Sequence, residues 1–118
     1  EHCFLLDKIS ESANFFNKID LHVSTSMNES FPNVVCESLL CGIESIVGDV
    51  GAAKEITVNK EIILKNMNPE YLADNIYKYY INFNRIKDKD KYSLNLRRST
   101  IKKFNISNFC NQFKELMK

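Results

Sequence analysis

Leu21-His22-Val23-Ser24-Thr25-Ser26-Met27-Asn28-Glu29-Ser30-Phe31-Pro32-Asn33-Val34-Val35-Cys36-Glu37-Ser38-Leu39-Leu40-Cys41-Gly42 reads as a strand, a polar loop and a helix in direct succession. Asp20 introduces the strand, and Leu21 and Val23 alternate with more polar residues. Pro32 fits the first helical position, because its missing N–H would be unpaired there in any case. Gly42 is a natural stop, so the helix is expected over about 32–41. Glu29 falls just before this helix and Glu37 a little over one turn inside it. The free N–H groups of Asn33 and Val34 point out of the helix start, where an anion binds well. Carboxylates on either side of an anion-binding helix start suit a ligand that carries both phosphate and hydroxyl groups.

The same punctuation continues in both directions. Cys3-Phe4-Leu5-Leu6 reads as a short buried strand, and Ser10 is placed to cap a helix through about Lys18. Ser45-Ile46-Val47 and Ile62-Ile63-Leu64 read as further strands, with a short helical turn over 52–57 between them. Pro69 opens a helix to about Asn82, with Leu72, Ile76, Tyr79 and Tyr80 at helical spacing. Another helix is expected over 85–103, frayed near 88–91. A last one is capped by Ser107, with Phe109, Phe113 and Leu116 on one face. Strands alternating with helices predict an α/β fold with a parallel sheet and helices on both faces. Ligands of such sheets bind beyond the carboxyl ends of the strands. That puts the 25–33 loop and the 49–52 turn on one rim.

The chain has 118 residues and 44% hydrophobic content, enough for one domain with a packed core. No apolar run approaches the ~20 residues that span a bilayer. Cys3, Cys36, Cys41 and Cys110 lack metal-ligand spacing and read as reduced thiols of a non-secreted chain. Net charge is +1, but residues 1–59 carry nine acids against three lysines, a balance of −6. Residues 60–118 carry thirteen basic residues against six acids, a balance of +7. The basic residues from Arg85 to Lys103 read as a solvated face and not as a nucleic-acid surface. His22, alternating with Leu21 and Val23, reads as structural or half-exposed.

The segment from Ser24 to Gly42 resembles the Glu-x7-Glu signature of retaining GT-B glycosyltransferases, in particular the large family 4 group. Ser45-Ile46-Val47-Gly48-Asp49-Val50-Gly51-Ala52-Ala53-Lys54-Glu55-Ile56 is similar to that family's next strand, Asp-x-Gly turn and short helix. Asn68-Pro69-Glu70-Tyr71-Leu72-Ala73 is similar to its following helix start. The resemblance covers residues 1–85 well; against its pattern Glu44, where proline is common, reads as surface variation, and Ser38 in place of alanine as a minor change of volume. It implies a Rossmann-like parallel sheet, part of a GT-B C-terminal domain, with residues 1–118 forming a single, partial nucleotide-sugar-binding domain. Glu1 is then not the native start, and an N-terminal domain that binds the sugar or lipid-linked acceptor belongs upstream.

Carried onto this chain, the resemblance makes Glu29 the catalytic residue, a carboxylate beside the donor sugar that accepts hydrogen bonds from its hydroxyls. Glu37 accepts hydrogen bonds from the nucleotide ribose. Ser30, Phe31, Asn33 and Val34 meet sugar and diphosphate mainly through backbone N–H groups, with the Phe31 ring plugging the core. Asp49-Val50-Gly51 either lines the cleft or is a purely structural turn, with a positive φ expected at Gly51, and Leu6, Asp7 and Lys8 occupy the place of the base-contacting loop. A nucleotide-diphosphate sugar is the expected donor, with no metal and no other cofactor. The family takes its diphosphate-neutralising Arg and Lys from positions upstream of this segment. The expected setting is bacterial surface-glycan synthesis in the cytoplasm, with a possible peripheral membrane contact through lipid-linked acceptors. Two rival readings fit the residues less well. A flavodoxin-like or receiver-like binding module would need a phosphorylatable Asp after an early strand, a context that Asp49 lacks. A GT-B-fold nucleotide-sugar epimerase uses different active-site patterns.

Overall fold

The computed structural model describes residues 3–117; the side chains of residues 109, 112, 113 and 116 lie outside what is described. The elements run α1 (Ser12–Phe16), β1 (His22–Ser24), α2 (Asn33–Leu40), β2 (Ser45–Gly48), α3 (Ala53–Ile56), a 3-10 turn (Lys60–Ile62), β3 (Ile63–Leu64), α4 (Pro69–Asn84), α5 (Lys89–Lys103) and α6 (Ile106–Leu116). The strands form a parallel sheet in the order β1-β2-β3. The expected α/β architecture is therefore present, with three strands among the described residues where four were expected.

The missing strand is the one read at residues 3–6, which form no ladder and lie exposed, Leu5 at 99%. An apolar run supplies strand propensity, but a strand also needs a partner for its backbone groups. Among the described residues β1 pairs only with β2.

Strand alternation sends side chains to two separate cores. On one face Val47 of β2 joins Val35 and Leu39 of α2, Ala53 and Ile56 of α3, and Leu96 of α5. On the other, Ile46, Ile62 and Leu64 pack with Leu21 and Val23 and with Leu72, Ile76 and Tyr79 of α4. Helices thus cover both sheet faces. Tyr80, expected on the packed face of α4, is 59% exposed; one residue round the helix from Tyr79, it turns to solvent.

The helix at Pro69 starts where expected, and the other helix starts differ from expectation by one to four residues. Pro32 is the residue before α2, not its first turn, because its ψ of 87° is non-helical. Glu11, not Ser10, precedes α1. Asp88 accepts the Lys91 N–H at 2.8 Å, so the place expected to fray is instead a capped start. Asn105 caps α6 by accepting the Asn108 N–H at 2.9 Å, displacing Ser107 from that role. The expected Phe109, Phe113 and Leu116 face lies outside the described side chains. All four cysteines are free.

Glu44 is the largest departure from the sequence reading. It is 1% exposed, not on the surface. Tyr92 of α5 donates its hydroxyl to Glu44 Oε2, while Oε1 is buried without a partner. Burial raises the carboxyl pKa, partly opposed by the Tyr92 hydrogen bond. The proton is thus held more tightly folded than unfolded. Stability is unaffected below the unfolded pKa, where both states are protonated, and falls as pH rises from that value through the folded one. Glu44→Gln copies the protonated acid and should remove this loss. Thermal melts at pH 3.5 and 7.5 should show the variant more stable than the parent at pH 7.5, and about equal at pH 3.5. Equal melting at both pH values would mean that Glu44 ionises without penalty.

Candidate functional site

The rim beyond the carboxyl ends of β1 and β2 is built by two loops in direct backbone contact. Gly51 has φ +46°, and a Cβ placed there would lie 1.8 Å from the Glu29 carbonyl oxygen and 2.6 Å from that of Ser30. The Ala52 N–H donates to the Ser30 carbonyl at 3.1 Å. The turn after β2 therefore fixes the backbone of the loop that carries Glu29. Only a residue without a side chain permits that approach. The positive φ expected at Gly51 is present.

Directly after this contact α2 begins. The N–H groups of Val35 and Cys36 turn back to the Pro32 carbonyl, at 3.0 and 3.4 Å. Among the described residues no side chain caps the helix. The N–H groups of Asn33 and Val34 have no partner among the described residues, so the positive end of the helix is open.

An open groove of about 460 Å³ lies at this end, bounded by Glu29, Phe31, Pro32, Asn33 and Val34 and by the 22–26 stretch. Glu37, exposed on α2, lies in an adjoining groove of about 250 Å³ with Ile9, Phe15 and Phe16. His22 and Val34 belong to both walls. The structure thus brings Glu29, Phe31, Asn33 and Val34 together and sets Glu37 next door. Ser30 is exposed and outside both grooves; its carbonyl holds the Gly51 turn. Leu6, Asp7 and Lys8 are not drawn to either groove, whereas Ile9 is. The Phe31 ring does not plug the core. It is 42% exposed and meets Phe104 edge-on at 5.9 Å, because residues of the α5–α6 junction reach α2 from outside.

The electrostatics are uneven. The rim cation Lys54 is paired with Asp49 at 2.8 Å, so its charge is already matched. What the site offers an anion is backbone N–H, and what it offers a hydroxyl is carboxylate.

The sequence reading missed a hydrogen-bonded relay behind the grooves. Register places His22 opposite Ser45, and His22 Nδ1 lies 2.9 Å from Ser45 Oγ. Ser45 Oγ contacts Ser38 Oγ, which donates to the Val35 carbonyl at 2.9 Å. Ser38 and Ser45 are fully buried, so Ser38 is more than a change of volume. Phe16 packs edge-on against the His22 ring at 5.7 Å. Burial pushes the imidazole pKa below its ordinary value.

No curated protein and no solved structure matches the chain. A family described as glycosyl transferases group 1 does match, over residues 1–93. That span contains Glu29, the open start of α2, Glu37 and the Gly51 turn, and it covers well over half of the chain: this protein belongs to the glycosyl transferases group 1.

Proposed function

We propose that this chain is part of the donor-binding domain of a retaining, family 4 type glycosyltransferase, which transfers a hexose from a nucleotide-diphosphate sugar to an acceptor hydroxyl. Group 1 membership implies in general a nucleotide-sugar donor and a sugar acceptor. The observation that carries the finer reading is the Gly51 contact, which holds Glu29 beside the uncapped start of α2. In this reading the Asn33 and Val34 N–H groups receive the diphosphate. They stabilise the charge that grows on it as the glycosidic bond breaks. Phe31 closes the turn, and the Ser30 backbone holds Glu29 at the sugar. Glu37 accepts both ribose hydroxyls in the neighbouring groove, whose apolar wall of Ile9 and Phe15 suits a nucleobase.

An acceptor domain and a cationic pair complete the active enzyme, so the isolated chain is expected to bind donor without transferring sugar. A lipid-linked or surface-glycan acceptor at the inner face of the membrane agrees with the basic stretch of α5. Among the described residues no helix is long and apolar enough to cross a membrane. The test is product stereochemistry. The complete enzyme, given nucleotide hexoses and candidate acceptors, should give a glycoside with the donor's anomeric configuration by proton NMR. An inverted product would reject the retaining assignment.

A further inference from the structure

The relay behind the grooves fixes where the proton of His22 sits. A carbonyl oxygen only accepts, so Ser38 commits its one hydroxyl proton to Val35. The Ser38–Ser45 bond must then be made with the proton of Ser45. Ser45 has none left for His22, so His22 donates from Nδ1. A neutral imidazole that donates from Nδ1 carries a lone pair on Nε2. Nε2 has no partner among the described residues. It is not sealed away either, since Glu44 Oε1 is the buried side-chain polar atom left unpaired among them. The lone pair is therefore accessible, on a residue that lines both the Glu29 groove and the Glu37 groove.

We propose that His22 is a donor-recognition residue, whose Nε2 accepts a hydrogen bond from a hydroxyl of the bound nucleotide sugar. This rests on the donor-site reading above. The chemistry divides cleanly along the site. Glu29, His22 and Glu37 present acceptors, which suit the hydroxyls of a sugar or ribose and repel phosphate oxygens. The start of α2 presents donors, which suit phosphate. The strand register that pairs His22 with Ser45 is what turns a histidine into an acceptor here.

The test uses nitrogen-15 NMR of the His22 ring in the 118-residue chain. The free protein should show a neutral ring protonated at Nδ1, and Ser45→Ala should shift the population toward protonation at Nε2. UDP, GDP, UDP-glucose, GDP-mannose and the 2′-deoxy and 3′-deoxy forms of UDP and GDP are then titrated. Saturation should move the Nε2 resonance. His22→Phe should weaken binding about tenfold, while His22→Gln, which keeps an acceptor, should stay within about threefold. If the deoxy nucleotides lose what His22→Phe loses, the hydroxyl is on the ribose. If only the nucleotide sugars feel the substitution, it is on the hexose. A free ring protonated at Nε2, an Nε2 resonance unmoved at saturation, or unchanged binding by His22→Phe would overturn the proposal while leaving the donor site standing. If none of the probes binds the parent chain, the donor-site reading itself fails.

Discussion

Gly51→Ala is expected to destabilise the protein by about 3 kcal/mol or more, through a strained backbone and a clash that no side-chain rotation relieves. The methyl group would land 1.8 Å from the Glu29 carbonyl oxygen, so the two loops must part. At ~4 °C per kcal/mol the melting temperature should fall by about 12 °C or more. The matched control is Gly48→Ala. Its Cβ would meet the Ser26 carbonyl oxygen at 3.5 Å and Met67 at 3.7 Å, ordinary contact distances, and its φ is not positive. A melt in which both variants behave alike would show that the contact between the loops is not what fixes Glu29.

The second large effect concerns the two acids in the complete enzyme. Glu37 is proposed to hold ribose, which does not react. Its contacts are then alike in ground and transition states, and Glu37→Ala should mainly raise KM. Loss of hydrogen bonds to a charged acceptor costs about 1.5–3 kcal/mol, or roughly ten- to a hundredfold in donor affinity. Glu29 is proposed to touch the sugar whose charge changes. Glu29→Gln should therefore lower kcat by about 100-fold or more, while free nucleoside diphosphate binds nearly as before. Steady-state kinetics with calorimetry separates these outcomes. If Glu29→Gln abolishes diphosphate binding and Glu37→Ala leaves it intact, the roles are reversed.

Much of this was legible in the sequence because it is local. Alternation at Leu21–Val23, the proline before α2 and the glycines at 42 and 51 mark strand, helix start and turns without reference to the rest of the chain. What was not legible depends on partners far away in sequence. Glu44 precedes a strand and reads as surface; only the arrival of Tyr92 from α5 buries it. His22 reads as an ordinary strand residue until register sets it against Ser45. Phe31 reads as a core plug until Phe104 meets it from outside α2. The apolar residues 3–6 carry the propensity of a strand, but propensity supplies no partner. At the site, Glu29, Asn33 and Val34 followed from the local helix start, whereas the division into two grooves followed from where α1 packs, with Phe16 beside His22.

In the proposed function the open start of α2 receives the diphosphate of a nucleotide sugar. The most direct measurement is an amide chemical-shift titration of the 118-residue chain with UDP-glucose and GDP-mannose. The largest shifts should fall on the Asn33 and Val34 amides, with smaller ones on 22–31 and 49–52. Shifts gathered instead around the cavity of about 220 Å³ lined by Tyr79, Phe83 and Tyr92, or no shifts with either ligand, would contradict it.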